Sequence, residues 1–341
     1  MDKIRYEFDG RPAEGATMNV AEDMLWLRMP LPFSLNHINL WLIRDTSSWV
    51  IVDTGVDTRH TRKVWQQTFS GAMGSDPASH VVATHLHPDH AGCAGWLVEH
   101  FDVDLWMSRD EYLLCRVLTA DTGKPAPEEG TRFYKAAGFS TGQLQTYEER
   151  FGMFGRFVHA LPEAYKRMSD GDSICFGDSR WEVIVGRGHS PEHVCLYDPE
   201  RNILIAGDQL LPTISPNVSV WPTEPLADPL GGWFSSLDAL RTRLPADVLV
   251  LPAHGKPFRG AHYRLRQMAL EHEERLDQLL ELCAKPQRVT DLFSSIYRSK
   301  IDDNNRIMAT GEAVAHLNYL CSNGSMTAEA DDECVTWYRR C

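Results

Sequence analysis

No stretch of the 341-residue sequence approaches 18 consecutive apolar residues, so nothing in it reads as a membrane-spanning helix. There is no Cys-x-x-Cys pair. The eight cysteines (Cys93, Cys115, Cys175, Cys195, Cys283, Cys321, Cys334 and Cys341) are scattered, which argues against a disulfide framework and for free thiols in a reducing compartment. Positive charge is scarce: 34 Lys and Arg stand against 47 Asp and Glu, for a net charge of −13. Such a balance repels a phosphate backbone, so no general nucleic-acid binding is expected. Internal repeats and low-complexity segments are missing too. The opening residues MDKIRYEFDGRPAEG are charged from residue 2 and lack the apolar run of a secretory signal, which leads us to expect a cytoplasmic protein.

What is present suits a globular chain with a sizeable core, at 43% hydrophobic and 24% charged residues. Met24–Met29 and Ile38–Ile43 (INLWLI) are short apolar runs, and Trp49–Val52 leads into Asp53-Thr54-Gly55, a strand ending at a turn. A helical pattern covers 58–69. His80–Thr84 reads as a strand, Gly95–Phe101 as a helix and Asp104–Met107 as a strand. This alternation predicts an α/β architecture. From about 110 to 167 the sequence turns aromatic, Met-rich and Arg-rich with helical spacing, which predicts a helical insertion, either a lid or a packed support. Strand patterns return at Ser173–Phe176, Arg180–Val185, Val194–Asp198, Ile203–Ala206 and Val248–Leu251. Beyond a boundary near 262 we expect a small helical or winged-helix-like domain, 263–341. Its helices fall near Val289–Arg298 and Gly311–Asn323, and a polar end follows.

The chemistry sits at strand ends. His85-Leu86-His87-Pro88-Asp89-His90 directly follows the apolar HVVAT and packs four metal-ligand types into six residues. A regular strand or helix cannot aim all four at one point, whereas a turn can splay them to two sides of it, which suits two adjacent ions. Imidazole favours zinc, iron and similar metals, and a carboxylate compensates charge. Three further pieces each close an expected strand: Gly188-His189-Ser190-Pro191, Gly207-Asp208 and Ala253-His254-Gly255. Loops leaving strand ends are where catalytic side chains collect, because the sheet fixes them.

The ordered set HLHPDH, GHS, GD and HG, spread over about residues 20–260, resembles the metallo-β-lactamase superfamily. That resemblance implies an αββα sandwich for residues 1–262, joined to the helical tail as in glyoxalase II-like and lactamase-β-2-like members. It implies that His85, His87 and His189 hold a first divalent metal, that Asp89, His90 and His254 hold a second, and that Asp208 bridges them. Zinc is the default ion, and iron or manganese would accept the same ligands. The intact set favours a two-metal hydrolase, in which a water shared by both cations loses a proton near neutral pH and attacks the scissile group. Asp208 and Asp89 then carry the catalytic weight, Asp89 by helping to move the proton.

The residues around this set carry separate expectations. Asp53, in VDTG, matches the aspartate that orients a metal-bound imidazole. His193 is read as structural because the ligand set is already full. Glu192 stands where related members often carry glycine, and Cys93, between Gly92 and Ala94, as a small buried residue. His37, Lys256 and Arg259 are candidate substrate contacts. The motif does not choose a substrate. A thioester such as an acyl-CoA or acyl-carrier conjugate is the first expectation, because the aromatic insertion suits an acyl chain and its Arg132, Lys135, Arg150, Arg156, Lys166 and Arg167 suit phosphates. A lactone comes next, then an endoribonuclease or phosphodiesterase role, then a non-catalytic metal-binding protein. The tail and the insertion are candidate homodimer surfaces.

Overall fold

A computed structural model describes residues 3–297 and 300–341. Sixteen strands and ten α-helices follow one another among the described residues. The strands are β1 (Arg5–Tyr6), β2 (Thr17–Ala21), β3 (Met24–Pro30), β4 (His37–Asp45), β5 (Ser48–Val52), β6 (Ala78–Val82), β7 (Asp104–Met107), β8 (Lys166–Arg167), β9 (Ser173–Phe176), β10 (Ser179–Gly186), β11 (His193–Asp198), β12 (Ile203–Gly207), β13 (Leu249–Pro252), β14 (Phe258–Arg259), β15 (Met326–Ala330) and β16 (Thr336–Arg340). The helices are α1 (Arg59–Ser70), α2 (Pro88–Ala91), α3 (Ala94–Phe101), α4 (Arg109–Ala120), α5 (Glu128–Ala136), α6 (Thr141–Arg150), α7 (Pro229–Arg243), α8 (Ala261–Leu282), α9 (Val289–Ile296) and α10 (Arg306–Ser322).

Two seven-stranded sheets form the centre, ordered β2-β3-β4-β5-β6-β7-β8 and β1-β14-β13-β12-β11-β10-β9. Strand periodicity explains why both sheets are buried on two faces. In β4, Trp41 and Ile43 point between the sheets, while Ile38, Leu40 and Leu42 meet Val64, Trp65 and Leu97 of α1 and α3. In β12 and β13, Ile203, Ile205, Leu249 and Leu251 face inward, while Leu204, Ala206 and Val250 face Leu230, Trp233 and Leu237 of α7. The result is the αββα sandwich.

The tail shares the outer core of the second sheet. Leu265, Met268 and Leu279 of α8 and Ala313 and Leu317 of α10 belong to the same buried cluster as Trp233. The expected polar end is an antiparallel hairpin, β15 with β16, and Arg298, where the helix from Val289 was expected to end, lies outside the described residues. Helix α7 carries no expectation from the sequence. Pro229, Gly231 and Gly232 stand in its first turn and mask the helical pattern, while Leu230, Trp233, Leu237 and Leu240 form its buried apolar stripe. The insertion forms α4, α5 and α6, and Phe133, Tyr134, Phe139 and Tyr147 pack into the tail's cluster. Arg132 pairs with Glu129 at 2.9 Å, Lys166 with Asp104 at 3.7 Å, and Arg150 donates to the Asp303 carbonyl, so these cations already have protein partners. All eight cysteines are free, and Cys93 is buried.

Two buried tail histidines set an acid limit on stability. His272 Nδ1 lies 3.0 Å from His316 Nε2. Burial first, then Arg275, lowers His272 to about 4; burial first, then His272, lowers His316 to about 3. The unfolded chain binds these protons near pH 6.5 and the folded chain does not, so stability falls as pH drops below 6.5. Each group contributes about 1.4 kcal/mol per pH unit until its folded pKa is reached. Thermal unfolding is therefore expected to drop steeply from pH 6.5 to 5, and less steeply in His316→Gln. Equal slopes in the two proteins would contradict this.

Candidate metal centre

Four strand ends meet at one edge of the sandwich. His85 and His87 leave β6, and Pro88 starts the single turn α2 at its first helical position, placing Asp89 and His90. His189 follows β10, Asp208 follows β12 and His254 follows β13. The pairing register of β12 with β13 shifts between Ile205 and Gly207, a local irregularity of the kind that re-aims a side chain, here Asp208.

The structure brings all seven expected residues into two adjacent groups. Single donor atoms of His85, His87, His189 and Asp208 lie within 4.8 Å of one another, as do those of Asp89, His90 and His254. Asp208 reaches both groups: Oδ2 is 3.4 Å from His189 Nε2 and 3.6 Å from His90 Nε2, and Oδ1 is 3.4 Å from His254 Nε2. Asp89 Oδ2 is 3.3 Å from His254 Nε2, and His85 Nε2 is 2.9 Å from His87 Nδ1.

Three of the imidazoles are aimed by an acceptor on Nδ1. His90 Nδ1 lies 2.8 Å from Asp53 Oδ2, His254 Nδ1 2.8 Å from the His37 carbonyl, and His189 Nδ1 2.7 Å from the Asn217 carbonyl. Each leaves Nε2 facing the centre, the arrangement that fixes a metal-ready tautomer. His90 Nε2 and Asp208 Oδ1 are buried without a hydrogen-bond partner among the described residues. Buried polar atoms are otherwise almost always partnered, so these two orphans, aimed at a shared point, fit a cation there. Electrostatics agrees. Burial opposes charge on Asp208, yet His254 and His90 hold its pKa well below the usual carboxylate range. Burial likewise opposes charge on Asp89, but His90 and His254 bring it to about 2. Burial, then His189, lowers His87 to about 3, so it stands neutral with a free lone pair. The set offers two anionic carboxylates and imidazole nitrogens, of which that of His87 is neutral as it stands, a divalent-metal site by donor chemistry.

Asp53 is 1% exposed and lies against His90. Its Oδ1 accepts from the Thr84 backbone N–H at 2.8 Å and lies 3.0 Å from Thr84 Oγ1, while Oδ2 faces His90. His193 is structural in its contacts. Its Nε2 accepts from the Asp208 N–H at 3.0 Å, and its ring lies 4.6 Å from that of His85. Gly207, at φ +49°, makes room for it: a Cβ there would lie 2.5 Å from His193 Cε1.

His37 reaches the centre through its backbone carbonyl, and its ring stands edge-on to His254 with centroids 6.2 Å apart. Lys256 and Arg259 are engaged elsewhere. Lys256 Nζ donates to the Phe8 carbonyl at 3.1 Å and lies over Tyr6. Arg259, carried by β14 back beside the start of β13, pairs with Glu7 at 3.0 Å. The structure does not bring either side chain to the cluster.

Sequence reasoning passed over Glu111, Asn39 and Asn217. Asn39, fully buried in β4, donates to the carbonyls of Pro252 and Gly255 at 2.8 Å each, bracketing His254. Its signal was an amide inside INLWLI. Glu111, 0% exposed, accepts from the backbone N–H of Leu86 at 2.9 Å and of Glu192 at 2.8 Å, tying the two histidine-bearing loops together. Its signal was a carboxylate on the buried face of α4. Glu192's own side chain accepts from the Asp110 N–H at 3.1 Å. Glu111→Ala would leave two buried N–H groups unpaired, an expected loss of about 2–4 kcal/mol in chemical denaturation. A loss below about 1 kcal/mol would mean the loops hold themselves.

The comparisons with known proteins agree with this geometry. Residues 34–254 match the family described as "Metallo-beta-lactamase superfamily", and residues 276–341 match "Metallo-beta-lactamase-like, C-terminal domain". The chain belongs to the metallo-β-lactamase superfamily and is a metal-dependent hydrolase of that class. A crystal structure of a β-lactamase domain protein from Burkholderia ambifaria superposes with a TM-score of 0.91 at 38% identity, covering 99% of this chain and 98% of that one. "Probable metallo-hydrolase YqjP" of Bacillus subtilis is 21% identical over 90% of this chain and 95% of its own length. "Acyl-coenzyme A thioesterase MBLAC2" of Bos taurus is 26% identical over 57% of this chain and 65% of its own length. No helix of the described residues is long and apolar enough to cross a membrane.

Proposed function

We propose that the chain is a dinuclear-metal hydrolase of ester-type carbonyls, with acyl-CoA or acyl-carrier thioesters as its substrate class and zinc as its default metal. The observation that carries this reading is the convergence of seven donors into two adjacent groups with Asp208 reaching both. In this reading His85, His87, His189 and Asp208 hold one ion, and Asp89, His90, His254 and Asp208 hold the other. Divalent ions there supply Lewis-acid polarisation of a carbonyl oxygen and an activated water near neutral pH.

The remaining steps belong to side chains. Asp208 fixes the spacing of the two groups. Asp53 and the carbonyls of His37 and Asn217 hold the imidazoles in place. Asp89 is the more open carboxylate, with its side chain 19% exposed against 11% for Asp208, and so is the one placed to pass a proton to solvent. Lys256 and Arg259 drop out as substrate contacts, and the ring of His37 stays as one.

Thioesters are supported by the acyl-coenzyme A thioesterase activity for which the bovine relative is named and by apolar surface beside the site. Phe33 and Leu35 are 44% and 37% exposed on the loop leading to His37, with Phe33 edge-on to Phe157 at 5.5 Å, and Ile214 is 43% exposed on the loop after Asp208. The test is free-thiol release from acyl-CoAs of increasing chain length, in metal-loaded and metal-stripped protein. Turnover in the loaded sample alone, rising with chain length, is expected. No thioester turnover above the stripped control, with turnover of lactones or RNA, would overturn the substrate and leave the centre standing.

A further inference from the structure

The loop 209–220, which follows Asp208 and contains Asn217, is gripped at both ends by the tail. Near its start, Arg264 of α8, with a side chain only 5% exposed, donates from Nε to the Leu211 carbonyl at 2.8 Å. Its Nη2 reaches the Ile214 carbonyl at 2.9 Å and its Nη1 reaches Glu271 at 2.7 Å. A buried guanidinium is costly unless its donors are used, so these carbonyls are held in place. At the other end, α10 presses against Asn217–Val220. The Val220 N–H donates to the Gly311 carbonyl at 3.0 Å. A Cβ on Gly311 would lie 2.8 Å from the Val220 carbonyl and 2.9 Å from Ser219, so only glycine lets the helix come this close. Next to it, Glu312 accepts from Asn217 Nδ2 at 3.4 Å while paired with Arg275 of α8. Asn217's own carbonyl accepts a hydrogen bond from His189 Nδ1 at 2.7 Å.

We propose that the tail helices are positioning elements of the metal centre. Arg264, Gly311 and Glu312 fix the 209–220 loop so that the Asn217 carbonyl orients His189. This rests on the reading of His189 as a metal ligand. The tail thereby sets the affinity of the ion in the group of His85, His87 and His189, although none of its side chains touches that ion. Partners that orient a ligand histidine typically change metal affinity about 10–100-fold when removed.

Gly311→Ala is the sharpest test. Alanine favours the helix while its methyl must displace Ser219 and Val220. Glu312→Gln keeps side-chain volume and removes the charge. The readout is a competitive titration with a chromophoric chelator on cobalt-loaded full-length protein, following the visible Co(II) bands, alongside thermal unfolding of the metal-free form. The control is Leu279→Ala, a buried tail residue outside the loop. The expected result is a loss of about 10–100-fold for one of the two ions in Gly311→Ala and in Glu312→Gln, with the other ion unchanged. Leu279→Ala should lower the unfolding temperature and leave both affinities alone. Parent-like binding in both loop variants, or an equal loss in the core control, would overturn the proposal. If either loop variant fails to fold, Asn217→Ala decides in the same way. A parent that binds a single ion would overturn the dinuclear reading, and the positioning role would then be judged on that ion in Gly311→Ala.

Discussion

Replacing Asp208 by asparagine is expected to cut hydrolysis by roughly 10³-fold or more, while far-UV circular dichroism stays that of the parent. Asparagine keeps the volume but removes the one anion that faces His189, His90 and His254 at 3.4–3.6 Å. Lewis-acid stabilisation by ions held there would account for several kcal/mol, and ~4 kcal/mol corresponds to about 10³ in rate. The amide also turns an N–H toward the place a cation would occupy, so metal content should fall with activity. A variant that keeps both metals and more than about a tenth of the rate would show that Asp208 is not shared between the ions.

Asp53→Ala should be the most damaging change that spares every donor. The carboxylate is buried and serves Thr84 N–H, Thr84 Oγ1 and His90 Nδ1 at once. Its loss strands buried donors, for an expected destabilisation of about 3–5 kcal/mol and a 10–100-fold weaker ion at His90. Asp53 also sits at φ +61°, a conformation that asparagine tolerates and alanine resists. Asp53→Asn should therefore recover much of the stability but not the affinity, since one oxygen cannot serve both Thr84 and His90.

The pH dependence follows in sign. Burial works against charge on His90, but Asp53, Asp89 and Asp208 raise its pKa well above 6.5 in the metal-free protein. That contribution to folding is complete below pH 6.5 and is lost as pH rises through the folded value. Metal uptake must release this proton, so affinity should climb with pH in the parent and climb less in Asp53→Asn. Isothermal titration in two buffers of different ionisation enthalpy measures the released proton, and no difference between parent and variant would contradict the assignment.

Much of this site was legible because ligand chemistry is carried by side-chain identity at strand ends. HLHPDH, GHS, GD and HG name their own residues, and the strands before them show an apolar period that positions them. The supporting layer was less legible. The carbonyls of His37 and Asn217 are backbone groups that any residue could supply, so no side chain announces them. Asn39 and Glu111 each left a signal, a polar group on a buried face, that periodicity alone records as noise. Arg259 is close to His254 in sequence but not in space, because β14 turns back along β13 and carries it away, while Lys256 is engaged by the Phe8 carbonyl. Helix α7 was hidden by its own Pro229 and its paired glycines, and its stripe takes meaning only once the sheet and α8 cover it.

The most direct test of the account is the number of metal ions per chain after reconstitution and removal of loose metal, read by mass spectrometry of the elements. About two ions in the parent, falling to one or fewer in Asp208→Asn, is the result the shared carboxylate predicts. A parent that holds a single ion, or an Asp208→Asn protein that still holds both, would contradict it.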